Sequence, residues 1–320
     1  MNTVEGAFKS ARIQAYRQME ASENAALRWS ETTITEIAIA QAAKAVAVVP
    51  FTQRAEALSG ADWIWWWVDG SAAYGMLVQA KRVIVAGTKW DFGFGYRTTG
   101  ATRTQREVLM SFADALELLP VYAVYLGTGK YRSWERCSKD HRHGRCLACV
   151  RRAISLMPAL LAEEVIVNDA VATYERSVAL EEISTPNTTR GLVIPALKKQ
   201  MDPKLADFLN KPQHGTRAVA RAMVDPILRA RFGALSTASV GTTTVRDGRH
   251  DELGPVFDDV PDDTGHWSVP YFQQALRPLQ QTPPPYVLEI ATGEYNEDRL
   301  ASEFPENVAG IVVAQLNGRQ

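Results

Sequence analysis

The sequence predicts an α/β fold, a mixed central sheet flanked by helices, and three stretches carry that prediction. Trp63 to Val68 is aromatic or β-branched at every position, so it reads as a strand buried on most sides. Asp69-Gly70 marks a hairpin turn, after which Tyr74 to Val78 returns as an apolar strand ending in Gln79-Ala80-Lys81. Further on, a helical pattern through Val108, Leu109, Phe112, Leu116 and Leu119 leads into a third apolar strand, Val121 to Leu126. Strand, helix, strand in this order implies a right-handed crossover and a sheet that is parallel in part.

The remaining elements follow along the chain. Residues 2–28 are polar and alanine-rich, with helical composition. Ser30-Glu31-Thr32-Thr33 is a helix start with Ser30 or Thr32 as N-cap, and the helix is expected to run through Ile34, Ile37, Ala38 and Gln41 to about Val48. Pro50 ends it, and Phe51 to Ala57 is expected as a first strand before the Ser59-Gly60 turn. A glycine- and aromatic-rich loop spans Gly87 to Gly100, Thr102 or Thr104 is expected to cap the crossover helix, and Pro120 to stop it. Ala153 to Ile183 reads as mostly helical, bent or divided at Pro158, and Leu205 to Leu209 and Ala218 to Phe232 are helical too. Pro283-Pro284-Pro285 is expected to introduce a strand from Tyr286 to Ala291, and Val308 to Gln315 forms another. The chain thus divides into a helical lead-in (1–29), an α/β core (30–126), a basic Cys/His segment and helical region (127–240), an acidic linker (241–265), and a C-terminal α/β segment (266–320) that completes or flanks the core. Beyond the core the chain is expected to be largely helical.

The chemistry concentrates at the end of the second strand. Side chains alternate along a strand, so Gln79 and Lys81 share one face and Ala80 takes the other. An ammonium at the end of an apolar strand needs a partner if it is buried. Asp62 opens the preceding strand in Gly60-Ala61-Asp62-Trp63 and can meet that face. This arrangement resembles the PD-(D/E)XK nuclease superfamily in its restriction endonuclease-like, Mrr-type variant, where the triad reads D…QxK. The matching residues are Asp62, Gln79 and Lys81, and the match covers roughly Ser30 to Leu126. The resemblance implies an αβββαβ nuclease core and hydrolysis of phosphodiester bonds in DNA by an endonuclease dependent on Mg²⁺ or Mn²⁺, with a role in bacterial restriction or anti-phage defence. It implies that Asp62, the amide oxygen of Gln79 and a helix-borne acid, which falls on Glu36, hold the metal, with Glu56 as the substitute acid. Lys81 then orients the attacking water or stabilises the pentacovalent phosphate. Gln79 in place of an acid removes one negative charge, so metal binding is expected to be weaker than in a two-carboxylate site. Many nucleases of this fold act as dimers, and a homodimer is expected on that ground. Apart from the resemblance, Glu36 reads equally well as a solvated first-turn acid. The alternative function is a catalytically silent nucleic-acid-binding or interaction protein on the same fold, and RNA stands beside DNA as a partner.

Bulk properties limit where a polyanion can bind. The chain has 320 residues, 46% hydrophobic composition and a formal net charge of −1, so any such contact must come from a local patch. Arg82, Lys89, Arg97, Arg103 and Arg106 interleave with Trp90, Phe92, Phe94 and Tyr96, which suits a loop that clamps phosphates and stacks on bases; alternatively the aromatics only cover the core edge. Lys130 to Arg152 is a second basic stretch, with Arg142 and Arg145 as phosphate contacts or as part of a solvated face. It also holds Cys137, His141, His143, Cys146 and Cys149, read either as a structural Zn²⁺ site or, for Cys146 and Cys149, as small buried hydrophobes at a helix start. With 3 cysteines the chain does not suggest an extracellular disulfide framework. It has no apolar run of membrane-spanning length and no signal-peptide core, so a cytoplasmic location without membrane contact is expected.

Overall fold

A computed structural model describes residues 3–51, 62–86, 89–97, 100–132, 146–162, 173, 176–192, 202–235, 256–257 and 271–316. Its strands are β1 (Ala47–Pro50), β2 (Asp62–Val68), β3 (Ala73–Arg82), β4 (Ile84–Ala86), β5 (Lys89–Asp91), β6 (Leu119–Tyr125), β7 (Ile154–Pro158), β8 (Val178–Ala179), β9 (Leu279–Gln280) and β10 (Val308–Gln315). The helices are α1 (Val4–Asn24), α2 (Glu31–Ala42), α3 (Gln105–Ala115), α4 (Leu147–Arg151), α5 (Pro203–Asn210), α6 (Gly215–Leu235), α7 (Tyr271–Leu276), α8 (Pro285–Thr292) and α9 (Glu297–Glu303).

The fold is mixed α/β, as expected, and its main sheet runs in the order β1-β10-β2-β3-β6-β7-β8, with β9 pairing the start of β3. β2 is antiparallel to β3, and β3 is parallel to β6 across the α3 crossover. The C-terminal strand β10 lies between β1 and β2, antiparallel to the first and parallel to the second. One sheet therefore draws β7 and β8 from the 127–240 stretch and β9 and β10 from 266–320.

The aromatic run of β2 explains itself once both faces are covered. Phe8 of α1 stacks on Trp65 with ring centroids 5.8 Å apart and lies 5.4 Å from Trp67. On the other face the indole N–H of Trp66 donates to the Tyr286 hydroxyl of α8 at 2.8 Å. Gly310 of β10 makes this packing possible: a Cβ there would lie 2.5 Å from the carbonyl oxygen of Val49 and 2.6 Å from the Trp63 ring. The sheet register also shifts between Val308 and Gly310, next to the start of β2.

Several expectations are corrected. The second helix ends at Ala42 rather than near Val48, because the β-branched Val46, Val48 and Val49 enter or precede β1, and of the strand expected at Phe51 to Ala57 only Phe51, which follows β1, is described. Residues 52–61 lie outside the described residues. The stretch read as helical from Ala153 contains β7, whose five residues are all buried and pair antiparallel with β6. Continuous burial of a short apolar run is what an interior strand requires, and Pro158 closes it. Tyr286 to Ala291 is helix, not strand: Pro285 sits in the first turn, where its missing N–H costs nothing, and Gly293 ends the helix at φ +80°. The crossover helix ends at Ala115, and Pro120 belongs to β6.

Asp69 shows how a turn holds a distant helix. Its Oδ1 accepts from Ser71 N at 2.7 Å and Ala72 N at 2.9 Å, and its Oδ2 accepts from Thr216 N at 2.8 Å in the first turn of α6. Gly215 is at φ +55°, and any Cβ there would strike the Asp69 carboxylate. Burial pushes the Asp69 carboxyl up, but the hydrogen bonds from Thr216, Ser71 and Ala72 prevail and hold it below the ordinary 3.8. Because the folded value is the lower one, the contribution is present above 3.8 and lost as pH falls through the depressed value. Asp69→Ala should therefore cost about 1–2 kcal/mol at neutral pH, the worth of a lost cap. The difference from wild type should shrink as pH falls below the aspartate range. Urea midpoints for both proteins across that range check this; a pH-independent difference counts against it.

Candidate functional site

Lys81 lies at the end of β3 and is only 6% exposed, as is Gln79. Its Nζ donates to the amide oxygen of Gln105 at 2.5 Å. Gln105 is the first residue of α3, and that helix start is fixed by a capping box: Glu107 N donates to the Thr104 hydroxyl at 3.2 Å, and Thr104 N donates to the Glu107 carboxylate at 2.6 Å. The cation is thus stitched between a strand end and a helix start. Tyr122 of β6 is the register neighbour of Gln79 on the same face.

Trp63 pairs with Val78 in the β2–β3 ladder. Continued by one residue, that register sets the backbone of Asp62 opposite Gln79. The Asp62 side chain and all of Glu56 lie outside the described residues.

Glu36 is exposed on α2, away from this region. The acid that does reach it is Glu31, whose Oε1 accepts from the backbone N of Arg82 at 2.8 Å. Five residues separate the two acids, which turns Glu36 about 140° round the helix from Glu31. The stripe facing the sheet is Glu31, Thr35 and Ala38, with the Thr35 hydroxyl 2.6 Å from that of Tyr125. Burial raises the Tyr125 hydroxyl far above its ordinary range, and the nearby Glu31 carboxylate adds to it. The signal was present in the sequence: Glu31 lies four residues before a threonine on the inward stripe, at helical spacing.

A cleft of about 490 Å³ opens here. Lys81, Arg82 and Gln105 line it from the sheet and the crossover helix, Arg28 to Thr32 from the entry and start of α2, Ile84 from β4, and Phe92, Gly93 and Tyr96 from the loop after β5. The aromatic loop divides between its two readings. Phe92 stacks on Phe94 at 5.3 Å and Phe94 on Tyr122 at 4.6 Å, so these rings cover the core. Trp90 is buried as well, with the Arg132 guanidinium 5.9 Å from its ring. Tyr96, by contrast, is 55% exposed.

The basic candidates also divide. Arg82 is half-buried and donates to the Trp29 carbonyl at 3.2 Å. Arg97 and Arg103 are exposed, Arg103 donating to the Glu107 carbonyl at 2.8 Å. The Thr104 N–H and hydroxyl hold the Glu107 carboxyl below its ordinary range, and Arg97 and Arg103 add to that. Arg106 is partly buried on α3. The side chain of Lys89, and Arg142 and Arg145 altogether, lie outside the described residues. Cys146 and Cys149 are both buried at α4, with Cys146 at its N-cap position. Cys137, His141 and His143 also lie outside the described residues. Among the described residues no three His, Cys, Asp or Glu side chains group to hold a metal, and no helix is long and apolar enough to cross a membrane.

Over residues 4–320 the chain matches a family described as "Family of unknown function (DUF6615)". The chain belongs to that family. No curated protein and no solved structure matches it. In this DUF6615 member the described groups near Lys81 that offer oxygen include the amides of Gln79 and Gln105 and the carboxylate of Glu31. Such hard donors fit Mg²⁺ or Mn²⁺ rather than a soft metal.

Proposed function

We propose that this protein is a metal-dependent nuclease that hydrolyses phosphodiester bonds in DNA. The observation that supports it is the buried ammonium of Lys81, held by Gln105 at the mouth of a cleft, two residues after Gln79 and beside the register position of Asp62. Burying a lysine is costly unless its charge is paired or hydrogen-bonded, and the amide oxygen of Gln105 is one such partner. With the β4–β5 hairpin set aside, the element order α2, β1, β2, β3, α3, β6 agrees with the αβββαβ order that the resemblance implies, while that hairpin and β10 between β1 and β2 depart from it.

Asp62 and Gln79 would hold the metal, with Glu31 in the place expected for Glu36. When bound, the ion lowers the pKa of a water and offsets charge on the leaving oxygen. Lys81 faces the phosphate and stabilises the negative charge that builds on it, and Gln105 keeps the ammonium pointed there. Arg28 and Arg82 draw the polyanion to the cleft, where Glu31 is the opposing charge. A role in bacterial restriction or defence rests on the resemblance, as does a homodimer.

Incubation of supercoiled plasmid with Mg²⁺ or Mn²⁺ is expected to give nicked or linear DNA, and EDTA to stop it. Loss of metal dependence, or DNA that is bound in EDTA and never cut with metal, would sink the nuclease reading, the latter in favour of a silent binder. The acids separate in the same assay. Glu31→Gln should lower the rate about tenfold or more and raise the Mg²⁺ requirement, the scale of a lost supporting ligand. Glu36→Gln should leave both unchanged; the reverse pattern returns the role to Glu36.

A further inference from the structure

We propose that the cleft binds an unpaired nucleotide of single-stranded or locally opened DNA, with its phosphate toward Lys81 and Arg82 and its base against Tyr96 and Ile84. This deepens the nuclease reading and rests on it. The cleft joins two kinds of surface that one ligand must satisfy. Arg28, Lys81 and Arg82 outnumber Glu31, so its charge favours an anion. Its outer wall carries Tyr96 at 55% exposure and Ile84 of β4 at 47%, two of the few large hydrophobic side chains left exposed among the described residues. Both side chains line the same cleft, and an apolar wall beside a few polar groups suits a ligand site.

The spacing of cation and ring is built in. The Tyr96 carbonyl accepts from Gln105 N at 3.0 Å, so the residue whose side chain holds Lys81 also pins the backbone of Tyr96. A second bond, Tyr96 N to the Gly93 carbonyl at 2.9 Å, closes the turn, and the buried Phe92 and Phe94 anchor it from below. At about 490 Å³ the cleft matches sites for one small ligand, roughly 300–1,000 Å³. In a duplex each base face is covered by its neighbours, so a ring at the wall gains nothing. An unpaired base has a face to offer, and such stacking tolerates any sequence.

The test uses the full chain in EDTA, so that binding is read without cleavage. Fluorescence anisotropy is measured for a short labelled oligonucleotide as a single strand and as a duplex of the same sequence. The single strand should bind about tenfold tighter. Tyr96→Ala should remove about tenfold of single-strand affinity, the scale of one stacked base, and leave duplex affinity alone, while Tyr96→Phe keeps the preference. Tyr96 is exposed, and equal melting temperatures confirm that the variants fold. A duplex bound as tightly as the single strand, equal losses on both from Tyr96→Ala, or no binding to either overturns the inference. Plasmid cleavage judges the nuclease reading separately. Cutting without strand preference keeps the nuclease and sinks this site, whereas strand preference without cutting keeps the site and sinks the nuclease.

Discussion

Under the proposed nuclease function, Lys81→Met is expected to lower the rate of DNA cleavage by about a hundred- to a thousandfold, the usual cost of removing one preorganised electrostatic stabiliser. The fold should survive the change. Methionine fills nearly the same volume, and replacing a buried ion by an apolar isostere is often neutral or stabilising. The structural losses include the bond to Gln105, and a neutral amide left without it costs about 1–3 kcal/mol. Single-turnover cleavage with saturating metal, beside a melting curve, separates the two effects. Lys81→Arg should restore little, because a planar guanidinium does not fit the place of a compact ammonium. Activity within tenfold of wild type in the Met variant would remove Lys81 from the chemistry.

The largest effect on stability is expected far from the cleft. Arg12 of α1 is 2% exposed, and its Nε and NH2 donate to one oxygen of Glu181 at 3.0 and 2.5 Å. The other oxygen of Glu181 takes Arg151 Nε at 3.1 Å. Glu181→Leu leaves a guanidinium buried without its carboxylate and should cost about 3–5 kcal/mol. Arg12→Met combined with Glu181→Leu should recover most of that loss, since two apolar groups need no partner. Urea unfolding of wild type, the single variant and the pair measures both. Equal stability of single and double variants would mean that the Arg12 charge is solvated after all.

The parts of the fold that were legible in the sequence are those whose signal is local. The aromatic run of β2, the Asp69-Gly70 turn and the apolar return of β3 declare themselves by residue type, and the Thr104 cap and β6 by pattern. Where the outcome depends on distant partners, the local signal misleads. The run Ile154 to Met157 fits helix or strand equally, and only the free edge of β6 decides it. The prolines before Tyr286 suit a strand entry as well as a helix start, and packing of Val287 and Ile290 settles the matter. At the site, the pairing of Gln79 with Lys81 on one face was legible because strand alternation is rigid. That Glu31 rather than Glu36 lines the cleft follows from helix phase, which a family pattern does not fix. Gln105 gave no signal at all, because a neutral amide at a helix start has many ordinary reasons to be there.

The place of β10 has a consequence for how the protein is made. β2 ends at Val68, whereas the strand that closes its outer edge begins at Val308. At roughly 5–20 residues per second, a ribosome takes on the order of ten to fifty seconds to bridge that interval. Until then the strand that carries Asp62 has hydrogen-bonding groups open along one side, and the shift that seats Gly310 against Trp63 has not formed. Until Val308 to Gln315 has been made and has emerged, the growing chain therefore lacks the strand that pairs the open edge of β2.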